Sequence, residues 1–269
     1  MIGLMNIEKF WELEHIGILP SELQKREICE EGFLPEFLES VTFADGRYST
    51  ILNIDSSKRD FLADNYQMAR KQFEGLMKLF GQKPSLGAEY VKQIEVFFDN
   101  QFAEPLPKGE KPKYLMPHFP VVQESKTSYK VRPVFNASSR RKGQLSLNDI
   151  ILDVPNLLPT SVEVLLKFRL HNVGLVGDIT KAYMTVGIDE KYRNYLCFLW
   201  SASRRMEDAK VYRMNRNCFG VKDAQFNVIA VIRHHAAKFS ASDSEAAKSI
   251  SEDLYMDDLI TGCASVLAA

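Results

Sequence analysis

Two short apolar stretches, far apart in the chain, are each interrupted by acidic residues, and this pattern constrains the fold more than any other feature. Residues 254–261 are strand-like, yet Asp257 and Asp258 stand side by side within them. Residues 173–176 are followed in the same way by Asp178. Carboxylates beside a core repel one another and lose hydration, which disfavours their charged form unless a cation compensates. We therefore expect buried acids at two strand ends around Mg²⁺ or Mn²⁺, which prefer oxygen ligands.

From these residues alone, a solvated turn is the ordinary expectation for a pair of adjacent acids, and the apolar neighbours weaken that preference without reversing it. If the two strand ends meet, Asp178 and Asp257 could hold two metal ions roughly 3.5–4 Å apart, the spacing used by polymerases and nucleases. One ion would activate an attacking hydroxyl, and the other would support the leaving group. Only tertiary folding can bring these residues together.

The charge of the chain is balanced overall but concentrated locally. With 269 residues, 45% hydrophobic and 26% charged, the chain has enough apolar material for a core. The formal net charge of −1 excludes a globally basic nucleic-acid binder. Residues 108–142, however, contain nine Lys and Arg against two acids, a local charge of +7. This basic segment is the part of the chain suited to a polyanion.

Cysteine usage and hydropathy indicate the compartment. The cysteines form no CxxC pair, which disfavours a zinc site or a disulfide framework, and two of them, Cys197 and Cys218, have the apolar neighbours of buried residues. No apolar window approaches the roughly 18 residues of a membrane helix, and the apolar start is interrupted before a signal-peptide core is complete. We expect a soluble, intracellular chain that does not contact a membrane.

A cluster of prolines divides the chain into two predicted parts. Residues 7–16 and 56–101 have helical spacing, and a break at 81–84 separates two helices in the second range. We therefore expect a helical N-terminal segment at residues 1–104 and a second domain at residues 105–269.

Strand signals dominate the second part. Residues 119–122 and 129–135 predict a hairpin, and residues 195–200 predict a buried strand, as do the residues before Asp178. A capping-box pattern predicts a helix that begins after Thr160, and residues 221–238 follow helical spacing.

These motifs resemble the reverse transcriptase family. YMDD at 255–258 is similar to its third catalytic block, and DITKAY at 178–183 is similar to its first. RPVFNASSR at 132–140, LPTSVEVLLKFR, NYLCFLW and the opening FWELEHIGI are together similar to the polyprotein of BEL/Pao-type LTR retrotransposons, over nearly the whole chain. The resemblance implies an α+β right-hand polymerase core with fingers and palm, in which an antiparallel palm sheet is backed by helices.

The resemblance also implies a role for individual residues. It makes Asp178 and Asp257 the metal ligands and Asp258 the third acid of the catalytic trio. Tyr183 would stack under the incoming sugar and exclude a ribose 2′-hydroxyl; a core aromatic is the alternative. The nucleotide-binding residues that it further implies are Arg132, Lys126, Lys130, Phe219, Gly220, Tyr255 and Met256.

The basic residues of the implied nucleotide site differ in how well their chemistry suits a triphosphate. Arg132 has the planar donor fork suited to a triphosphate, whereas Lys126 and Lys130 could equally be solvated residues of a β-ribbon. The chain departs from the family at Asn136, where an aspartate is usual, and at 224–225, where a small residue and proline are usual.

The activity implied is magnesium- or manganese-dependent addition of dNTPs to a primer 3′-hydroxyl, copying an RNA or DNA template. The family continues into thumb, connection and RNase H regions, and this chain ends eleven residues after Asp258. We therefore expect the thumb to be absent and the chain to be a fragment of a longer polyprotein, in the cytoplasm or in retrotransposon particles. Two alternatives remain: a truncated or domesticated remnant that at most binds nucleic acid, and a palm-like nucleotidyl cyclase.

Overall fold

The computed structural model describes residues 32–124 and 129–266, and the chain has a mixed α+β fold. The helix expected at residues 7–16 and the candidate residue Lys126 lie outside the described residues. Within the two described ranges, no helix is both long and apolar enough to cross a membrane.

Helices and strands are interspersed along the chain, and two short 3-10 turns cover Arg59–Phe61 and Met206–Asp208. The helices are α1 (32–39), α2 (Tyr66–Gln82), α3 (Pro84–Asp99), α4 (Leu147–Ile150), α5 (Ser161–Phe168), α6 (Ala182–Thr185), α7 (Glu190–Arg193), α8 (Ala224–Ala237) and α9 (Ser244–Asp253).

The strands form small sheets in which neighbouring strands are antiparallel except for one parallel pair, β2 with β7. The strands are β1 (Thr42–Ala44), β2 (Arg47–Thr50), β3 (Ala103–Pro105), β4 (His118–Glu124), β5 (Tyr129–Phe135), β6 (Val173–Asp178), β7 (Gly187–Ile188), β8 (Cys197–Trp200), β9 (Lys210–Met214), β10 (Leu254–Tyr255) and β11 (Asp258–Cys263). Their orders are β1-β2-β7, β10-β11-β6, β3-β9-β8 and β4-β5.

Local sequence signals set most of these boundaries. The hairpin expected around residues 119–135 is confirmed as β4 and β5. The capping box is confirmed in both directions, since the Thr160 side chain accepts from the Glu163 backbone and the Glu163 carboxylate accepts from the Thr160 backbone. The break between α2 and α3 is a single residue, Lys83, because Pro84 is tolerated in the first turn of a helix and α3 begins there.

One hydrophobic core joins the helices before residue 104 to the strands after it. Tyr90 of α3, Phe135 of β5 and Phe198 of β8 are all buried in it. The buried residues Cys197 and Cys218 belong to the same core, as expected, and burial raises the pKa of each thiol to about 12. Segments on both sides of residue 104 are therefore held together by one set of apolar contacts, and the division at that residue stays a prediction.

A second apolar cluster backs the sheet that carries the acidic residues. Phe37 of α1, Phe226 and Ile229 of α8 and Leu254 of β10 are buried together. The Phe37 and Phe226 rings pack edge to face with their centroids 4.8 Å apart. Helix α8 thereby fixes the hairpin that begins at Leu254.

The strand before Asp178 is less buried than its apolar sequence predicts. Residues 173–178 do form β6, but the Val176 side chain is 70% exposed. The expectation of a buried strand is therefore wrong for the face of β6 that carries Val176. The apolar residues identified the strand, whereas the burial of each of its faces depends on elements far away in the sequence.

A buried polar cluster anchors the start of α8. Asp223 is fully buried, and its Oδ2 accepts from the backbone N of Asn53 at 2.8 Å and from Asn53 Nδ2 at 2.9 Å. Asn53 Nδ2 also donates to Asn227 Oδ1 at 3.1 Å. Asp223 Oδ1 and Asn217 Oδ1 are buried and have no hydrogen-bond partner within the described residues. Burial raises the pKa of the Asp223 carboxyl, so its charged form opposes folding.

We expect Asp223→Asn to raise the free energy of unfolding near pH 8 by about 1 kcal/mol or more, because a neutral amide keeps an acceptor for Asn53 and removes a buried charge. The folded pKa lies above the ordinary 3.8. Wild-type stability should therefore be greatest below that value and fall as the pH rises towards the folded pKa. Urea unfolding of both proteins between pH 4 and pH 8 measures the effect.

Asp223→Ala is the control for this prediction. It also removes the charge, but it leaves both Asn53 donors without their acceptor, so we expect it to destabilise the chain by roughly 1–3 kcal/mol. Loss of stability in Asp223→Asn at every pH would show that the carboxylate is needed in its charged form.

Candidate active site

The acidic hairpin is built by a two-residue turn. Tyr255 pairs with Asp258, which leaves Met256 and Asp257 as the turn between β10 and β11. Met256 has a φ of 59°, in the left-handed region that few non-glycine residues adopt. The side chain of Met256 is 41% exposed at the tip. The YMDD motif thus forms the tip of a hairpin, which places its acids at one end of the sheet.

The register of the sheet brings the two acidic segments together. Asp258 of β11 lies directly opposite Asp178 of β6. Opposite residues of an antiparallel pair project to the same face, with Cβ atoms roughly 4.5–5.5 Å apart. The backbone N of Ile179 also donates to the backbone O of Asp257 at 2.8 Å. The convergence of these stretches, which the sequence analysis required, is therefore present, and Asp258 rather than Asp257 is the cross-strand partner of Asp178.

The burial expected for these acids is not observed. Asp178 is exposed, and Asp257 and Asp258 are half-buried. The expectation failed because the end of the sheet is open, as the exposure of Val176 also indicates. The three carboxylates are therefore accessible to a ligand from solvent.

The fit of a divalent cation depends on the donors and their charge. Within the described ranges, no Lys or Arg forms an ion pair with the three carboxylates, and like charges directly opposite in a sheet are destabilising. Carboxylate oxygens are the donors that Mg²⁺ and Mn²⁺ prefer. Among residues 32–124 and 129–266, however, no three His, Cys, Asp or Glu side chains are close enough to form a ready metal-binding group. The chain therefore presents an uncompensated acidic pair rather than a complete ligand cage.

Tyr183 and Phe219 form an aromatic platform near the acids. Tyr183, on α6, is 9% exposed, and its ring centroid lies 4.0 Å from that of Phe219. Burial, with a smaller contribution from the charge of Asp257, raises the pKa of the Tyr183 hydroxyl. Tyr183 is therefore both a largely buried aromatic and a neighbour of the acidic hairpin, so the two interpretations of this residue are compatible.

Gly220 follows the platform in a position that only glycine fits. Its φ is 96°, and a Cβ there would lie 2.1 Å from the backbone O of Phe135. The loop is held by Asn148, whose Nδ2 donates to Gly220 O at 2.9 Å and whose Oδ1 accepts from the backbone N of Lys222 at 2.9 Å. Sequence reasoning missed Asn148. The capping box between Ser146 and Asp149 would have identified helix α4 but not this distant contact.

The basic candidates lie on the β4–β5 hairpin. Lys130 and Arg132 are both exposed, and their spacing of two residues on β5 puts them on one face. Val131, between them, is buried on the other face. Within the described ranges, neither basic residue is paired with an acid, and no contact joins them to the acidic hairpin. The proximity of these basic residues to a bound nucleotide stays a prediction.

The comparisons with known proteins add no identification. No protein-family model matches the chain, and a search of curated proteins finds no match.

Proposed function

We propose that this chain is the fingers and palm part of an RNA-directed DNA polymerase, which adds dNTPs to a primer 3′-hydroxyl on an RNA or DNA template. The observation that carries the proposal is the register that sets Asp178 opposite Asp258, with Asp257 bonded through its backbone to Ile179. Two segments that resemble separate catalytic blocks of one family meet at one end of one sheet. If the similarity of each segment to the family were accidental, there would be no reason for the two segments to lie next to each other.

The acids would bind and orient the reacting groups. Asp178 and Asp258 supply oxygen donors on one face, and Asp257 lies next to them in the turn. When bound, magnesium or manganese would favour deprotonation of the primer hydroxyl and neutralise charge on the phosphates. The half-exposed position of the acids leaves room for the primer end and the triphosphate to approach together.

The aromatic platform would select the sugar. The Tyr183 ring is fixed by burial and by the Phe219 ring, so it cannot easily move aside. A ribose 2′-hydroxyl would collide with a ring fixed in this way, which favours deoxynucleotides. Gly220, without a side chain, lets the loop backbone approach the nascent base pair.

The basic residues would contact phosphates. Arg132 and Lys130 share an exposed face, where Arg132 can form paired hydrogen bonds with a triphosphate. The other exposed cations of the segment would neutralise template phosphates, so that binding weakens as salt rises. These cations are Lys108, Lys111, Lys113, Arg140, Arg141 and Lys142.

A second candidate function is nucleic-acid binding without polymerisation. The observation that favours it is the absence, within the described residues, of three metal-binding side chains already close together. The exposed basic segment would still support salt-dependent binding in that case.

A primer-extension assay tests the proposal. A labelled DNA primer on an RNA template is incubated with the purified chain, Mg²⁺ and dNTPs, and in a parallel reaction with NTPs. We expect extension with dNTPs, much less with NTPs, and a fall to background in Asp257→Asn. Asp99→Asn, an exposed acid at the end of α3, is the matched control and should retain full activity.

Each other outcome identifies a different function. Equal background in wild type and Asp257→Asn, together with salt-dependent RNA binding in both, would support the non-catalytic chain and reject the polymerase. Nucleotide turnover that needs no primer would support a nucleotidyl cyclase instead.

A further inference from the structure

A cavity lies behind the segment that carries Asp178. Its volume is about 720 Å³, within the usual range of small-molecule sites. The β1–β2 turn lines one side, and helices α6, α8 and α9 together with Asn100 and Phe102 line the rest. Residues 179–181, which directly follow Asp178, form part of the wall. The cavity is therefore adjacent to the acidic hairpin but does not include its carboxylates.

The charge of the cavity wall has one sign. No Asp or Glu lines it, whereas Arg47, Lys181 and His235 all do. Within the described ranges, Arg47 has no acidic partner. A concave wall that carries the cations Arg47 and Lys181 and no acid attracts anions.

Arg216 increases this excess of positive charge. Its backbone forms an isolated β-bridge with Gly187 of β7, the strand that pairs with the strand of Arg47. The buried Nε of Arg216 has no hydrogen-bond partner within the described residues. Burial, followed by the charges of Arg47 and Arg193, lowers the pKa of Arg216 to about 10. The nearby acid, Glu104, is already paired with Arg213 at 2.7 Å and with Arg193 at 3.8 Å. The cations around Arg47 therefore repel one another, and a bound anion would relieve that repulsion.

The remainder of the wall is aromatic and aliphatic. The Phe43 and Tyr48 rings are 4.6 Å apart, and the Tyr48 hydroxyl accepts from Lys238 Nζ at 3.0 Å and shares a hydrogen bond with His235 Nδ1 at 3.1 Å. The lining also includes Val231 on α8. The Tyr48 ring is thus held in place beside the cationic part of the wall.

We propose that this cavity binds a small organic anion that carries an aromatic ring, with the anionic group on Arg47 and the ring against Tyr48 and Val231. This site is separate from the proposed polymerase site and does not depend on it. A ligand here would contact residues 179–181 and so rest against the backbone that positions Asp178.

Two dyes with similar aromatic rings test the proposal directly. The first, 1-anilinonaphthalene-8-sulfonate, carries the anionic group, and N-phenyl-1-naphthylamine lacks it. We expect the folded chain to bind one sulfonate dye by calorimetry, and Arg47→Gln to weaken that binding at least about tenfold, as expected for loss of a charged hydrogen bond. Binding of the neutral dye should be weaker and should not change in Arg47→Gln. Lys181→Gln should also weaken the sulfonate dye.

The controls separate binding from damage to the fold. Arg70→Gln removes an exposed arginine of α2 that does not line the cavity, and it should leave dye binding unchanged. Near-ultraviolet circular dichroism checks that each variant is folded. Arg47→Gln should unfold at the same temperature as wild type or higher, because it removes a repulsive charge; if it does not fold, Lys181→Gln provides the comparison.

Competition identifies the source of the natural anion. Displacement of the dye by dAMP indicates a nucleotide, and displacement by indole-3-acetate indicates an aromatic carboxylic acid. The proposal is overturned if neither compound displaces the dye at millimolar concentration, if the two dyes bind equally well, or if folded Arg47→Gln and Lys181→Gln bind the sulfonate dye as the wild type does.

Discussion

Replacing Asp178 with asparagine should reduce primer extension by roughly 100- to 1000-fold and at the same time make the folded chain slightly more stable. The carboxylate faces Asp258 across the sheet, and no cation pairs with it within the described residues. Asparagine keeps the size of the side chain and removes the repulsion, which is worth about 0.2–1 kcal/mol. Single-nucleotide extension rates measure the first effect, and urea unfolding without divalent ions measures the second.

The combination of the two effects distinguishes a catalytic acid from an acid that only supports the fold. If the acid only supported the fold, its replacement would lower the stability and the activity of the chain together. Asp99→Asn, the exposed acid on α3, should change neither quantity. Addition of Mg²⁺ should stabilise the wild type more than Asp178→Asn, since an ion that binds only the folded chain stabilises it by mass action. Equal stabilisation of both proteins by Mg²⁺ would contradict a role for Asp178 in binding the ion.

The parts of this structure that follow from neighbouring residues could be predicted from the sequence. The capping box at Thr160 and Glu163 sets the start of α5 through hydrogen bonds between residues three apart. The YMDD turn is also closed locally, by Tyr255 and Asp258, but the sequence analysis expected a strand-like run across residues 254–261 and gave a turn only as the other interpretation of the two acids. A compact apolar run at residues 173–176 identified β6, and its pairing with the hairpin was required by the proposed chemistry.

The parts that depend on distant partners could not be predicted. The exposure of Val176 is decided by which elements cover β6, and no pattern within the strand encodes that. Asn148 holds the Gly220 loop from a position 72 residues away, and Asn53 meets Asp223 across 170 residues. The cavity behind residues 179–181 is lined by segments from several parts of the chain. Single side chains with ordinary sequence neighbours thus acquire their roles only through the tertiary fold.

Gly220→Ala should lower the free energy of unfolding by about 2–4 kcal/mol, the largest stability effect expected among these variants. The new Cβ would lie 2.1 Å from Phe135 O, and the φ of 96° is one that alanine rarely adopts. The loop can relieve the clash only by moving away from β5, which would disturb the Asn148 hydrogen bonds and the adjacent Phe219 ring. Urea unfolding measures the loss of stability.

Gly75→Ala is the matched control for this substitution, because Gly75 is exposed within α2 and a Cβ there would meet nothing within 4 Å. We expect it to stabilise the chain by about 0.8–1 kcal/mol, the difference in helix propensity between glycine and alanine. Opposite signs for the same chemical change would attribute the loss in Gly220→Ala to the contact with Phe135. If Gly220→Ala were as stable as the wild type, the close approach of this loop to β5 would be wrong, and with it the position assigned to Phe219 beside Tyr183.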